Sequence, residues 1–416
     1  MITRRPVSLG LIGCGLIGRE HLRAWQTVAI AAPGTFRIVA VCDADKELSE
    51  QAAAAVAQWQ DERPAAFTTT VDLLEQGGLD GLDVCLPVHL HESAACAALT
   101  RGIHVLVEKP LAPTIAAGRR MAEAAQAAGL TLSLAENHRR SLSIRTARWL
   151  LRDQGVIGTP EVFHAQRSRY QAPTPQAWQW RATRRLGGGG WAIDNGAHLL
   201  DTLRYLFGPV ETVSAVAKRT ADHLLTGGPS RIDEREDLLA GLLRFTSGMS
   251  GVFSNTSTLP GDERFQFSIQ GTKGALVDHG GQLFHAPLPT AEIHDESGFV
   301  RRLADYGEEF LHSLSETEQE RIFPFGLRGD FPVECAEFLR AVAFGNPVEI
   351  DGHSALETLA TSLAFYESAV SGDTVRVADV LSGRVHAYQN SIDDVITDSL
   401  LHDFRSHTTR WPQAES

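Results

Sequence analysis

Lysine is nearly missing from this chain of 416 residues: of 38 lysines and arginines, only Lys46, Lys109, Lys218 and Lys273 are lysine. Arginine therefore carries the surface positive charge, and a lysine that closes an apolar strand stands out. Cysteine is scarce too, with five residues (Cys14, Cys42, Cys85, Cys96 and Cys335) and no C-x-x-C pair. This argues against a disulfide scaffold and predicts reduced, buried thiols in a cytoplasmic protein. No apolar run approaches the ~18 residues that a membrane helix needs. There is no internal repeat and no low-complexity linker. Thr3-Arg4-Arg5 ahead of apolar residues has the look of a twin-arginine export signal, but no small-residue cleavage site follows.

Positive charge is in deficit overall. The net charge of -13 argues against nucleic acid or an anionic membrane as the main partner. The hydrophobic share of 43% suits an ordinary soluble enzyme, and the length exceeds one typical core, so two domains are expected.

What is present begins with Val7 to Ile12, an apolar run that reads as a short buried strand, followed by Gly13, Gly15 and Gly18 at the spacing G-x-G-x-x-G. The first glycine allows a tight turn, the second lets backbone approach a pyrophosphate, and the third lets a helix pack on the sheet. That helix starts near Leu16. Free N–H groups around Leu16, Ile17 and Gly18 then face the phosphates. Strand and helix go on alternating through the first third: strands at 37–42, 82–86, 104–107 and 130–135, helices at 46–59, 69–76, 92–100 and 114–128. That order predicts a parallel, doubly wound sheet.

From about Ser141 the texture changes. A helix is expected over 144–153 and a strand over 161–170. A Trp- and Gln-rich loop covers 171–186. Residues 263–270 place Phe265, Phe267 and Ile269 on one face at period two, with 238–245 and 249–256 as neighbours. Helices follow over 333–344 and 355–371. We expect a nucleotide domain over 1–138, an α+β domain with a large, open, mostly antiparallel sheet over 139–380, and a C-terminal extension over 381–416.

Candidate chemistry lies at the strand ends. Asp43 ends the second strand, where an acid accepts hydrogen bonds from the adenosine ribose hydroxyls and repels a 2′-phosphate. This favours NAD over NADP, and Asp45 is the alternative helix cap. Leu86, Pro87 and His91 lie at the cofactor edge of the sheet, and His89 shares that loop. Glu108-Lys109-Pro110 puts a cation where hydride leaves, able to stabilise alkoxide character. In G-G-G-G-W-A-I-D-N-G-A-H-L-L-D, Asp194 and His198 are four apart and would share one helical face. His198 is then the natural base for a hydroxyl proton, oriented by Asp194. With Asp201 the spacing would also suit a metal, but hydride transfer needs none and no metal is expected.

Taken together, these stretches resemble the glucose-fructose oxidoreductase / inositol dehydrogenase / rhizopine catabolism (Gfo/Idh/MocA) family over roughly residues 5 to 380. The resemblance implies a Rossmann domain and a C-terminal open sheet whose exposed face builds dimers or tetramers. It implies Lys109, Asp194 and His198 as catalytic residues. It also puts Glu136, Asn137, Trp180 and Arg181 at the cofactor. Glu108 and Lys109 are expected at the cofactor as well, and His138, Arg167 and Trp178 at the substrate. Tyr170, Trp178, Trp180 and Trp191 offer flat faces for a sugar. The expected activity is NAD(P)-dependent oxidation of a secondary hydroxyl of a sugar, glycoside or cyclic polyol, or the reverse. The alternatives are a redox-neutral enzyme that retains its cofactor while cleaving or eliminating, and an NAD-binding sensor without turnover.

Overall fold

In the computed structural model, residues 5–169, 179–220, 234–257, 261, 263–280 and 290–393 are described. The first sheet holds β1 (Val7–Ile12), β2 (Phe36–Cys42), β3 (Ala65–Phe67), β4 (Gly81–Val84), β5 (His104–Glu108) and β6 (Leu132–Ala135). Between them run α1 (Leu16–Ala31), α2 (Lys46–Val56), α3 (Thr70–Glu75), α4 (His91–Leu99) and α5 (Ile115–Ala128). All pairings are parallel, in the order β3-β2-β1-β4-β5-β6. The order reverses between β1 and β4, which makes the carboxyl edge there the crevice for a ligand.

The local reasons are plain. All of β1 is buried, as a central parallel strand requires. On α1, His21, Leu22, Ala24, Trp25 and Val28 form the buried stripe. Thr114 caps α5 by accepting the Ala117 N–H, and Gly129 ends it in the left-handed region. Asp45 caps α2 through the Glu47 N–H, so Asp43 is not needed as the cap.

The second sheet has nine strands: β7 (Pro160–Ser168), β8 (Val210–Lys218), β9 (Leu238–Phe245), β10 (Ser250–Thr256), β11 (Arg264–Gly271), β12 (Gly274–Asp278), β13 (Ala291–Asp295), β14 (Val300–Arg302) and β15 (Val375–Arg376). Their order is β14-β13-β12-β11-β7-β10-β9-β8-β15. Only β7 and β10 pair in parallel; the rest is antiparallel. The expected neighbours of β11 are corrected here. It pairs with β7 and β12, because β7 returns from earlier in the chain and separates it from β10. The remaining helices are α6 (Leu142–Arg148), α7 (Gln179–Ala182), α8 (Arg184–Gly187), α9 (Gly196–Phe207), α10 (Gly307–Ser313), α11 (Glu316–Ile322), α12 (Asp330–Phe344), α13 (Gly352–Ser371) and α14 (Val377–Leu381). The helix expected over 144–153 is α6 followed by a π-helical turn, Trp149–Asp153.

One face of the second sheet is packed, with Phe163, Phe253, Phe267, Leu239 and Leu243 buried. The other face leaves Val216, Leu242 and Val252 at 50%, 46% and 45% exposure, with Leu242 directly opposite Val252. The two halves interleave. Cys335, Ala336, Phe338 and Leu339 of α12 join the core of Val7, Leu9, Leu11, Trp25 and Val28. A Cβ on Gly81 would lie 3.0 Å from the Phe338 ring, so β4 meets that ring with bare backbone. The Leu134 N–H donates to the Ile350 carbonyl at 3.0 Å, extending the β6 edge. All five cysteines are free; Cys96 is half-buried rather than buried, being on α4 away from the sheet. Among the described residues, no helix is long and apolar enough to cross a membrane.

Candidate active site

The glycine turn sits between β1 and α1 at the switch point. Gly13 adopts φ 91°, and a Cβ there would lie 2.4 Å from the Cys85 carbonyl oxygen. At Gly18 a Cβ would lie 1.8 Å from the Gly13 oxygen. These two are demanded by the turn itself. Gly15 differs: a Cβ there would meet nothing within 4 Å. It stands at the N-cap of α1 with no side-chain cap, so the leading N–H groups of Leu16, Ile17 and Gly18 lack intrahelical partners. Open space over bare donors at a helix start is a cradle for phosphate.

Asp43 is half-buried at the end of β2. Its Oδ2 accepts the Cys14 N–H at 2.7 Å and its Oδ1 accepts the Asp45 N–H at 2.9 Å. Burial raises its pKa, and those two backbone bonds oppose the rise. The carboxylate is thereby tied to the glycine turn, with lone pairs left for ribose hydroxyls. The residues present fit a dinucleotide. Leu86 and Pro87 follow β4 on that edge. His91 is corrected: it is buried, with Nε2 on the Leu86 carbonyl at 2.8 Å and Nδ1 on the Pro110 carbonyl at 3.0 Å. Burial lowers its pKa and favours the neutral ring, whose single N–H serves one of the two carbonyls, and the ring fills the space between the loops after β4 and β5.

Lys109 follows β5 and is only partly exposed. Its Nζ donates to the Asp194 carbonyl at 3.1 Å and to Asp194 Oδ1 at 3.2 Å. Arg181 also reaches Asp194, at 2.8 Å, with its guanidinium 4.9 Å from the Trp180 ring. Burial opposes the charge on Asp194, but Lys109 and Arg181 outweigh it and hold the carboxyl down to about 2. Asp194 is therefore the partner of Lys109, not of His198. The two do not share a helical face, since α9 begins at Gly196 and Asp194 lies in the turn before it. That turn closes through the Gly196 N–H and the Trp191 carbonyl at 2.6 Å.

His198 finds its partner elsewhere. Its Nδ1 lies 2.7 Å from Oε1 of Glu136, which stands just past β6. The His138 ring stacks on it at 4.0 Å with the planes 12° apart. Burial first, then Lys109, pushes His198 down to about 3. Burial first, then Asp201, pushes Glu136 up to about 7. Both shifts disfavour the ion pair. The dyad therefore holds a neutral imidazole, with Nδ1 committed to Glu136 and Nε2 left for a substrate proton. Glu136, His138 and His198 bring ligand atoms within 4.8 Å of one another. Parallel stacked rings keep their nitrogen lone pairs parallel, so the two imidazoles do not converge on one ion. Asp201 does not join a metal set with Asp194 and His198 either: it pairs with Arg139 at 2.5 Å and accepts the Thr358 hydroxyl at 2.9 Å.

Three other expected residues are buried. Asn137 is buried and opens the turn His138–Arg140. Arg167 is buried beside Asn255, which it meets at 2.9 Å, and under Phe265 on the second sheet. Trp191 is a core ring, stacked at 4.5 Å on Phe253, and offers no face to a sugar. Tyr170 and Trp178 lie outside the described residues.

Beneath Lys109 is a group of which the sequence singled out Glu108 alone, as a cofactor residue, whereas both its oxygens are turned to protein partners. His21 of α1 is fully buried, with Nδ1 on Asp83 at 2.9 Å and Nε2 on Glu108 Oε1 at 3.1 Å. The other Glu108 oxygen accepts the Lys109 N–H at 2.9 Å, and Trp25 Nε1 donates to Asp83 at 2.8 Å. The one signal available was position: His21 is a single helical turn past Gly18.

Comparison with known proteins agrees with this fold. An oxidoreductase-family model for an NAD-binding Rossmann fold matches residues 7–136, and one for the C-terminal alpha/beta domain of that family matches residues 152–377. A D-apiose dehydrogenase of Paraburkholderia graminis is 29% identical over 378 residues, spanning 88% of this chain and 88% of that protein. A 1,5-anhydro-D-fructose reductase of Ensifer adhaerens is 28% identical over 373 residues, spanning 88% of this chain and 98% of that protein. A solved levoglucosan dehydrogenase, in complex with NADH and levoglucosan, shares the fold with a TM-score of 0.72 at 24% identity, covering 89% of this chain and 99% of that one. The chain belongs to the Gfo/Idh/MocA oxidoreductase family, and is an enzyme whose first third is an NAD-binding Rossmann fold.

Proposed function

We propose that this enzyme oxidises a secondary hydroxyl of a sugar, glycoside or cyclic polyol to a ketone, or reduces the ketone. The observation that carries the reading is the joint presence of a lysine just past β5, held by a carboxylate, and a neutral histidine on α9, backed by a second carboxyl just past β6. NAD, when bound, exchanges a hydride with the substrate carbon. Lys109 donates a hydrogen bond to the substrate oxygen and stabilises negative charge there as the C–H bond breaks. Asp194 and Arg181 fix the direction of that ammonium. His198 takes the hydroxyl proton at Nε2, while the Nδ1 proton is drawn toward Glu136. Because Glu136 binds a proton near neutrality, the dyad can accept one without creating a buried ion pair.

The substrate class draws on the relatives, which are named for apiose, anhydrofructose and levoglucosan. Preference for NAD rests on Asp43, whose charge would repel a 2′-phosphate. The exposed apolar face of the second sheet supports a homodimer or homotetramer, the contact lying over Val216, Leu242 and Val252. The test follows absorbance at 340 nm with NAD or NADP and a panel of aldoses, anhydrosugars, inositols and glycosides. Reduction of free NAD by one class bears the reading out. Silence across the panel, with cofactor released only on denaturation, would point to redox-neutral chemistry or to a sensor.

A further inference from the structure

The chain past α14 returns to its own active-site loops, and we propose that residues 384–393 form a strap that positions Lys109 against Asp194. This rests on the roles given to those two residues above. The pair stands on two loops. One runs from Lys109 through Thr114 into α5; the other runs from Gly187 through Gly190 to Asp194. They meet back to back, since a Cβ on Gly188 would lie 3.0 Å from Pro113 Cα. Four successive glycines, two of them at φ 80° and 155°, have no side chains with which to lock themselves. They must be held from outside.

The strap holds both loops. Tyr388 donates its hydroxyl to the Gly188 carbonyl at 3.1 Å and stacks on Tyr366 at 4.7 Å. Tyr366 accepts the Gly190 N–H at 2.9 Å and donates to Glu236 at 2.9 Å, and Glu236 accepts the Trp191 N–H at 2.6 Å. On the other loop, Gln389 Oε1 accepts the Ile115 N–H at 2.8 Å, and Asp393 accepts the Thr114 hydroxyl at 2.6 Å. Glu367 of α13 anchors the strap by accepting the Tyr388 N–H at 2.9 Å and Gln389 Nε2 at 3.0 Å. Gln389 is 1% exposed and Ile392 is fully buried, so the strap is part of the core. Every polar atom of the Gln389 side chain is spent on bridging α13 to the start of α5.

The scarcity of lysine supplies the test. Lys46, Lys218 and Lys273 are exposed and serve as references within the same chain. Full-length Tyr388→Phe keeps the ring stack and removes the bond to Gly188; Gln389→Met removes both Gln389 bridges. Each is labelled with trace acetic anhydride, and the four lysine side chains are resolved by mass spectrometry. The expected result is a several-fold rise in Lys109 labelling with the three references unchanged, together with a lower kcat at unchanged KM for NAD. Wild-type labelling of Lys109 in folded Tyr388→Phe would overturn the proposal. So would a parallel rise of all four lysines, which marks general loosening. Full turnover in Lys109→Ala would instead overturn the catalytic assignment, leaving the labelling result to stand or fall by itself.

Discussion

Lys109 is held by the Asp194 carboxylate and His198 is kept neutral by burial, and each can be tested alone. Lys109→Ala should lower kcat by about 10²–10³-fold, the loss of one oxyanion donor, while NADH titration gives an unchanged Kd. Glu136→Gln keeps an acceptor for Nδ1 but cannot take the proton. Its kcat should fall by about 10²-fold, and the near-neutral limb of the kcat/KM profile against pH should vanish. Stability should move the other way. The folded Glu136 carboxyl, raised from 4.5 to about 7, binds its proton more tightly than in the unfolded chain. That contribution is full below pH 4.5 and is lost as pH rises through 7. Glu136→Gln should therefore gain melting temperature over the wild type at pH 8 and not at pH 4. His198 has the reverse sign, its contribution being present above 6.5 and lost as pH falls through 3. Residue types were legible in the sequence, but partners were not. The i, i+4 rule links Asp194 to His198 only if both are helical, and the Gly196 turn breaks that premise. Glu136 reaches His198 across sixty-two positions, a distance no local rule covers.

Gly15 and Gly18 belong to one turn and answer to different constraints. Gly15→Ala should leave the melting temperature near wild type, because its Cβ meets open space, yet weaken NADH binding by at least about tenfold, or 1.4 kcal/mol. Gly18→Ala should lower the melting temperature as well, since α1 must move off the Gly13 carbonyl. Fluorescence titration and thermal melts separate the two. Elements with strong patterns were legible: the apolar run at β1, the alternation in β11, and the helix over 114–128. The order of the second sheet was not. Pairing β7 with β10 in parallel brings together strands some ninety residues apart, and alternation says which face is buried, not which strand lies beside it. The three-residue β3 is too short to show a period at all.

At the scale of the whole molecule, the open face of the second sheet makes a prediction about assembly. Leu242→Arg or Val252→Arg puts a charge at the centre of the proposed contact, directly across from its apolar partner. Light scattering should then report the mass of a single chain, with secondary structure unchanged. A wild-type mass would place the contact elsewhere.

The return of α12 to the first sheet sets a rule for taking this protein apart. The ribosome delivers Phe338 long after β6 has emerged, so the nascent nucleotide half waits with the flank of Trp25 and Val28 bare to water. A gene fragment that stops at residue 138 encodes the whole glycine fingerprint yet leaves that flank uncovered, and its product should aggregate. Any cassette that moves the nucleotide half into another scaffold must carry residues 330–344 along with it.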